Sequence, residues 1–430
     1  MIASRLIDTW LRKRGPSRTG RLLLVVLPLG AAALLPSSVG CSNGDEDDPS
    51  SVPSDSDDPA RDAGPDASQT NDAHVGVDAD AGCEAGTAGC EAPALTCEVA
   101  DWCPSPTTMD ARYALTAVWG SGKNDVWAVG SAGTVLHWDG GTWTSTPVNT
   151  KHTLFGIWGS SANDVWIVST PTLLVHGTGF KNGTATWEEH VPVETAAWQT
   201  VKGKLMHAVW GTSASDVWIG GESISYYEED LAVVNQWRRS GDDGKSSWKR
   251  TFRTSMTIRG IWGSSANDVW IVGRDTALPE ENGKTFHSNG TLGEEGVLAW
   301  TEVDAQSNAE LEAVWGSSGA DVWTVGARGT IRHFTAGASA WNVVASPTSR
   351  HLHAVWGSSK NDVWAVGDAG MILHYDGKAW TESTVAFASG ERPNLYGVWG
   401  SGPDDVWAVG EGIVLHHSNS GAKPSRGGSK

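Results

Sequence analysis

The sequence predicts an all-β fold, a seven-bladed β-propeller whose last blade is completed by an N-terminal strand. Three observations predict it. A motif, W-G-[ST] followed after three residues by D-V-W, occurs seven times in the 430 residues. The copies lie 39 to 53 residues apart, a length that suits one four-stranded blade or one pair of helices. The local chemistry of each copy favours strands. The first tryptophans of the seven copies are Trp119, Trp158, Trp210, Trp262, Trp315, Trp356 and Trp399.

The copy over residues 352–383 shows the strand chemistry most simply. Apolar and β-branched runs at 352–356, 363–366 and 371–375 predict three strands, and Trp380 opens a fourth. The stretches G-S-S-K-N-D, G-D-A-G and D-G-K between them favour turns. Because no stretch could form a helix of useful length, a four-stranded β repeat is indicated, and a β-propeller is built from such repeats.

The two ends of the repeat region predict how the ring closes. The last copy has a third strand at 413–417 but lacks the tryptophan-led fourth strand. The segment D-W-C-P-S-P, with Trp102, lies 17 residues before Trp119, much as Trp143 lies 15 residues before Trp158. We expect this segment to be the outer strand of the last blade, which removes an open sheet edge. The propeller then covers residues 98–420, and residues 421–430 form a disordered tail.

Tryptophan is the residue that predicts how the blades pack. The chain has 25 tryptophans, of which 14 are the two in each repeat and only Trp10 lies outside the inferred propeller. A buried indole hides roughly 150–250 Å² of surface. The repeated motif is therefore interpreted as the packing wedge that each blade needs against its neighbour.

Residues 1–40 have the features of an export signal. A basic start precedes an apolar run at 22–35 that is short for a membrane span. The sequence S-V-G-C that follows resembles a bacterial lipoprotein cleavage box, so we expect a lipoprotein signal peptide, lipidation of Cys41, and export to the outer membrane or cell surface. The alternative is a secreted protein cut nearby.

An acidic linker and a cysteine-rich segment separate the signal from the propeller. Residues 41–82 carry twelve acidic side chains against one arginine, a composition typical of disorder. Residues 83–97 lead into the closing strand. Cys83, Cys90, Cys97 and Cys103 are separated by gaps of six, six and five residues, which favour two disulfide bonds over a zinc site. The three possible pairings stay open. The net charge of −19 makes nucleic acid an improbable partner.

The repeat W-G-S-S-x-x-D-V-W-x-V-G, followed by G-T-V-L-H-W-D-G or M-I-L-H-Y-D-G, resembles the tryptophan-rich propeller repeat of predicted surface lipoproteins of myxobacteria, and more loosely Asp-box and WD-type blades. The resemblance covers about three quarters of the chain. It implies the propeller fold and a surface lipoprotein, and it implies almost nothing about activity.

Two sets of polar residues recur in the repeats and are interpreted as structural. The aspartates before V-W are expected to close turns by accepting backbone N–H bonds. They are Asp125, Asp164, Asp216, Asp268, Asp321, Asp362 and Asp405. The third-strand histidines are expected to be hydrogen-bonded packing residues, because they are spread over different blades and a metal would need several to converge. They are His137, His176, His333, His374 and His416.

One position varies while its neighbours are fixed, and it is the candidate ligand site. The first strand of each repeat reads L-x-[AG]-[VI]-W-G, usually with leucine first. If these strands line the channel, x forms a ring at its mouth, with stacking faces, donors and one carboxylate. An equally good reading is a solvated channel mouth. The x residues are Thr116, Phe155, His207, Arg259, Glu312, His353 and Tyr396.

Two insertions are expected on the same face, and with the ring they define the predicted function. They span 220–236 and 273–296, and their candidate ligand-binding residues are Tyr226, Tyr227, Phe286 and His287. We predict a non-enzymatic surface module that binds a protein or a glycan, with no catalytic residue, metal or cofactor. The alternative is a carbohydrate-active hydrolase or lyase, which needs two carboxylates across one pocket, whereas Glu312 is the only acid among the x residues.

Overall fold

The computed structural model describes residues 95–169, 173–190, 205–221, 236–240, 247–252, 254–276, 282–293, 298–388 and 390–418. All of these belong to one compact unit, residues 80–430. The predicted signal peptide at 1–40, the acidic linker at 41–82, Cys41, Cys83, Cys90 and the tail at 421–430 lie outside the described residues.

The described chain forms 28 strands, arranged as seven four-stranded antiparallel sheets. The strand that precedes the first repeat is β1 (Cys103–Pro104). Blade 1 contains β2 (Leu115–Gly122), β3 (Asp125–Gly130), β4 (Val135–Trp138) and β5 (Trp143–Ser145). Blade 2 contains β6 (Leu154–Ser161), β7 (Asp164–Ser169), β8 (Leu174–Lys181) and β9 (Thr184–His190). Blade 3 contains β10 (Met206–Ser213), β11 (Asp216–Gly221), β12 (Gln236–Ser240) and β13 (Ser247–Phe252).

The remaining blades repeat the same order of strands. Blade 4 contains β14 (Met256–Ser265), β15 (Asp268–Asp275), β16 (Gly283–Ser288) and β17 (Thr301–Glu302). Blade 5 contains β18 (Leu311–Ser318), β19 (Asp321–Gly326), β20 (Ile331–Thr335) and β21 (Asn342–Val343). Blade 6 contains β22 (Leu352–Ser359), β23 (Asp362–Gly367), β24 (Ile372–Tyr375) and β25 (Trp380–Glu382). Blade 7 contains β26 (Leu395–Gly402), β27 (Asp405–Gly410) and β28 (Ile413–Ser418), and β1 is its fourth strand.

The seven-bladed propeller predicted from the repeat is thereby confirmed, with one local difference. The first strand of blade 6 runs on to Ser359, so the turn before β23 has two residues where the sequence predicted six. A register shift between Gly357 and Ser359 accommodates the extension. Gly357 and Ser359 therefore pair within the sheet, and Ser358 between them is the extra residue of a bulge.

The N-terminal segment closes the ring as predicted. In β1, Cys103 pairs with His416 and Pro104 with Leu415 of β28. Trp102 is fully buried, and its ring centroid lies 5.2 Å from that of Trp364 in an edge-to-face arrangement. The same edge-to-face contact joins a second-strand tryptophan to an outer-strand tryptophan of the next blade in the pairs Trp127–Trp187, Trp270–Trp341, Trp323–Trp380 and Trp407–Trp143. Trp102 therefore supplies the indole that the last repeat lacks.

The closing segment is also held by polar contacts to blade 6 and by a disulfide bond. The backbone N–H of Trp102 donates to the Thr384 carbonyl at 3.1 Å, and the Thr384 hydroxyl donates to the Asp101 carboxylate at 2.8 Å. Cys97 and Cys103 are joined by a disulfide bond, with their Cα atoms 5.4 Å apart. One of the predicted disulfide bonds is therefore present, and it flanks Trp102.

The described residues form seven apolar clusters, one at each interface between neighbouring blades. At every interface the first-strand indole of one blade lies against the motif glycine of the next, so close that an added Cβ would come within 2.5–2.7 Å of the ring. The contacts run once around the ring through Trp119–Gly159, Trp158–Gly211, Trp210–Gly263, Trp262–Gly316, Trp315–Gly357, Trp356–Gly400 and Trp399–Gly120. The predicted packing wedge is confirmed, and each indole packs against a glycine of the next blade.

Helical structure among the described residues is confined to single 3₁₀ turns. Three of them join second and third strands at Ser131–Gly133, Ala327–Gly329 and Asp368–Gly370. Within the described part of the chain, no helix has the length and apolar character needed to cross a membrane.

Candidate functional site

The recurring aspartates are structural, but their partners are side chains where the sequence predicted backbone N–H groups. Asp164 accepts hydrogen bonds from the Ser160 hydroxyl at 2.6 Å, from the Trp166 indole at 3.2 Å, and lies 2.7 Å from His176 Nε2. Burial raises the pKa of Asp164, but the His176 and Ser160 hydrogen bonds outweigh it and lower the pKa overall. In the seven repeats the hydroxyl that contacts the aspartate belongs to Ser121, Ser160, Thr212, Ser264, Ser317, Ser358 and Ser401.

The third-strand histidines are hydrogen-bonded packing residues, as predicted. Each has its Nε2 atom 2.6–2.7 Å from the aspartate of its own repeat. His416 also stacks on Trp407, with ring centroids 3.8 Å apart. The hydroxyl and the imidazole contact different oxygens of one carboxylate, since Ser160 donates to Asp164 Oδ2 and His176 Nε2 lies 2.7 Å from Asp164 Oδ1. The pairs are His137–Asp125, His176–Asp164, His287–Asp268, His333–Asp321, His374–Asp362 and His416–Asp405.

The structure corrects the positions of Phe286 and His287, which the sequence placed in a recognition loop. Both lie in β16, the third strand of blade 4. His287 stacks on Trp270 with centroids 4.2 Å apart, and Phe286 packs against a buried cluster. His287 is thus the counterpart of the other third-strand histidines. The insertion before β16 hid this register, because His287 follows its aspartate by 19 residues where His137 follows Asp125 by 12. Tyr226 and Tyr227 lie outside the described residues.

The seven variable first-strand residues do converge, in one cavity. Thr116, Phe155, His207, Arg259, Glu312, His353 and Tyr396 all line a space of about 410 Å³, together with Ala114. Each lies second in its strand or in the equivalent register position, between fixed apolar residues that face the blade interfaces. All seven side chains are partly buried. We name this set the ring residues.

Blades 3, 4 and 5 contribute a charged side of the cavity that is centred on Arg259. Its Nε atom donates to Glu310 Oε1 at 2.8 Å and lies 3.7 Å from Glu312 Oε2. Its Nη1 atom lies 3.4 Å from His207 Nε2. Burial, and then the nearby guanidinium, lower the pKa of His207 to about 4. His207 is therefore neutral near pH 7 and presents an uncharged imidazole beside the arginine.

Blades 5 and 6 contribute a cluster of imidazoles and carboxylates. His353 Nε2 lies 2.8 Å from Asp368 Oδ1, and the His351 and His353 rings stack with centroids 4.5 Å apart. His351 Nε2 lies 3.3 Å from Glu312 Oε1, within ion-pair range but outside hydrogen-bond geometry. The Glu312 carboxylate raises the pKa of His351. Burial raises the pKa of Glu312, but its contacts with His351 and Arg259 outweigh the burial and lower it.

Blade 7 adds a further polar side chain to the cavity, whereas blades 1 and 2 contribute uncharged ones. The Tyr396 hydroxyl donates to Glu411 Oε1 at 2.7 Å, and burial together with this carboxylate raises the pKa of Tyr396 to about 12. Phe155 meets His207 edge-on, with ring centroids 5.2 Å apart. The Thr116 hydroxyl lies within hydrogen-bond distance of two backbone carbonyls, those of Val129 and Leu154. The cavity is therefore neutral at blades 1 and 2 and charged from blade 4 to blade 7.

Sequence reasoning missed the residues that hold the ring residues in place. Glu310 and His351 each precede the fixed apolar residue of their strand, while Asp368 and Glu411 open the turn after the second strand. A signal for the last two exists in the sequence, because the residue six positions after the D-V-W aspartate is an acid in only three repeats. It is Ser131, Thr170, Glu222, Arg274, Ala327, Asp368 and Glu411 in turn. The four carboxylates in contact with ring residues, counting Glu312, outnumber the one arginine.

No protein-family model matches the chain, and no curated protein matches it in sequence. Solved structures similar in fold include a YCF48 protein bound to a D1 peptide, with a TM-score of 0.54 and 18% identity over 76% of this chain and 99% of that one. They also include YCF48 from Cyanidioschyzon merolae, with a TM-score of 0.54 and 16% identity over 74% of this chain and 99% of that one. The similarity is one of fold, and it agrees with the seven-bladed ring.

Proposed function

We propose that the protein is a non-enzymatic binding module whose central cavity takes a positively charged segment of a protein partner. The observation that carries the proposal is the convergence of all seven ring residues on one cavity. Around them the repeats keep the same packing residues, whereas the ring offers two aromatic faces, two imidazoles, a guanidinium and one carboxylate. A shared cavity with few convergent polar groups is the usual form of a binding site.

The charges around the cavity favour a protein segment that carries lysine or arginine. Glu312 and Glu411 both have a lowered pKa, so they are ionised at pH 7. A buried carboxylate that is only partly balanced by Arg259 gains from a second cation. One YCF48 protein of the same fold is bound to a peptide, which supports a peptide as the class of ligand for a ring of this kind.

The carbohydrate-active alternative is less well supported by the same groups. A glycosidase needs a carboxylic acid that stays protonated near pH 7 and a second carboxylate across the substrate. Glu312 and Glu411 both have a pKa shifted away from that requirement. The second candidate is a glycan that binds in the same cavity and is not hydrolysed.

The binding proposal is tested with the purified protein on an array of acidic, neutral and basic peptides, and on a glycan array. We expect the basic peptides to bind. The double variant Phe155→Thr/Tyr396→Thr, which installs the residue that blade 1 has at this position, should weaken binding at least about tenfold, because it removes the aromatic faces. Val343→Thr on the outer strand β21, where Val343 is 65% exposed, is the control and should bind like the parent.

Two outcomes would contradict the proposal. Basic peptides that bind equally well to the parent and the double variant would show that the cavity is not the site. Selective binding of glycans, or release of reducing sugar from them, would favour the carbohydrate candidates instead.

We propose further that the ring is held at the outer membrane or cell surface by lipid on Cys41. The basic start, the short apolar run and the S-V-G-C sequence support this. Cys41→Ser leaves the basic start and the apolar run unchanged but removes the thiol that would carry the lipid, so the variant should be exported but recovered in the soluble fraction, because lipid chains anchor by their buried methylenes. Fractionation with immunodetection measures this. Recovery of the parent protein in the soluble fraction would contradict the anchor and favour a secreted protein.

A further inference from the structure

The wall of the cavity in blade 6 brings two imidazoles and a carboxylate together. His351 directly precedes β22 and His353 is its second residue, so they lie two positions apart in extended chain and share a face. Asp368 opens the turn after β23, and its backbone N–H donates to the His351 carbonyl at 2.9 Å. The ends of two paired strands thus place all three side chains together, and His353 lines the cavity.

The three side chains have the spacing of a metal-binding group. One donor atom from each of His351, His353 and Asp368 lies within 4.8 Å of the other two. Zinc bound to nitrogen and oxygen at about 2.0–2.2 Å in a tetrahedron keeps its ligand atoms about 3.3–3.6 Å apart. His353 Nε2 and Asp368 Oδ1, at 2.8 Å, therefore need to separate by less than about 1 Å to bind one ion.

The surroundings of the group suit a cation. Glu312 Oε1 lies 3.3 Å from His351 Nε2, so a fourth protein group adjoins the cluster, either as a ligand or as the carboxylate that orients a ligating histidine. His351 Nε2 is buried without a hydrogen bond, a cost that a metal ion or its orienting carboxylate would offset. Two imidazoles and a carboxylate are the donors that zinc and similar transition ions prefer, whereas calcium and magnesium take oxygen ligands.

The repeat does not require this group for folding. At the three equivalent positions, blade 1 has Ala114, Thr116 and Ser131, and its strands pair in the same register as those of blade 6. The third-strand histidines differ, since each pairs with the aspartate of its own repeat and lies against a tryptophan, as His374 does with Asp362 and Trp364. Within the described ranges, no other set of three histidines, cysteines or acids meets the same spacing. The group is therefore a departure from the repeat, at the site where the repeat varies.

We infer that His351, His353 and Asp368 bind one zinc ion at the wall of the central cavity. Three protein ligands leave a coordination position for water or for a donor atom of whatever enters the cavity. The site goes beyond the peptide-binding proposal, since it needs no peptide to form. It places a Lewis acid beside Tyr396, whose ring centroid lies 5.0 Å from that of His353.

The test uses the purified full-length protein after chelator treatment, titrated with zinc chloride alone in a calorimeter. We expect one zinc ion per chain with a Kd in the micromolar range or tighter. His353→Thr/Asp368→Ser, which installs the residues of blade 1, should weaken that binding at least about a hundredfold, because two of three ligands are lost. His152→Ala removes an exposed histidine and should leave the Kd unchanged.

Cobalt substitution identifies the ligands, because thiolate ligands give an intense charge-transfer band near the ultraviolet that nitrogen and oxygen ligands lack. We expect a visible cobalt spectrum without that band, lost in the double variant. The inference is overturned if the parent binds no zinc, if the double variant binds it equally well, or if the cobalt spectrum is that of a thiolate site. Circular dichroism of the metal-free variant checks that it is folded. Peptide binding is measured separately in chelator, so either proposal can fail alone.

Discussion

Replacing Trp102 with alanine is expected to lower the free energy of unfolding by about 3–5 kcal/mol, the range for truncating a fully buried large aromatic side chain. Trp102 has no exposed surface and belongs to the cluster between blades 6 and 7. The strand that it precedes has only two paired residues, so backbone hydrogen bonds alone hold little of the closing segment. The loss of the indole should therefore release the outer strand of blade 7.

Urea denaturation followed by circular dichroism measures the change, and limited proteolysis locates it. We expect the first cleavages in Trp102→Ala to fall in blade 7 and the N-terminal segment. Val99→Ala is the matched control, because Val99 lies three residues away and is 61% exposed. A loss below about 1 kcal/mol for Trp102→Ala would mean that the N-terminal segment does not hold the ring closed.

The second large effect is expected at the glycine that receives the indole. In Gly159→Ala the new Cβ would lie 2.5 Å from the Asp164 carbonyl oxygen and 2.5 Å from the Trp119 ring. Neither can withdraw easily, because the first belongs to the paired backbone of β6 and β7 and the second is wedged between blades. Overpacking of this kind lowers the free energy of unfolding by about 1–3 kcal/mol. We expect the upper end of that range, because the neighbouring backbone is rigid.

Gly122→Ser is the control for that experiment. Gly122 has nothing within 4 Å of an added Cβ, and the equivalent position in blade 2 is already Ser161. Thermal denaturation should show a lower Tm for Gly159→Ala and a Tm within error of the parent for Gly122→Ser. Equal Tm values for Gly159→Ala and the parent would contradict the tight indole–glycine contact.

The sequence predicts the blades and the ring residues because both follow from a repeated strand pattern. Side chains alternate along a strand, so a fixed leucine and a fixed tryptophan determine where x must face in every copy. Seven strands around one axis then bring Thr116 and Tyr396, which are 280 residues apart, into one cavity. The closing strand is equally readable, because one repeat lacks a tryptophan that another part of the chain supplies.

The sequence does not reveal which side chains meet across two strands when the register of those strands is unknown. The aspartate partners are an example: Asp164 meets His176, which is 12 residues away on the third strand, where turn chemistry predicted a local backbone partner. In blade 4 an insertion lengthens that separation, so the sequence predicts a loop at His287 where the structure has a strand. Asp368 was missed for a related reason, since a turn residue becomes part of the cavity only once its neighbouring strands are paired.

The indole–glycine contacts all point the same way around the ring, and this has a consequence for how such a chain can change in length. Each blade presents a first-strand tryptophan to the next blade and a motif glycine to the previous one, so the same contact can join any two neighbouring blades. If a chain lost one repeat, one tryptophan would have no glycine to pack against until the remaining blades closed into a ring of smaller diameter. Gain or loss of a repeat therefore changes the angle between all neighbouring blades. Substitution of a ring residue changes only its own blade.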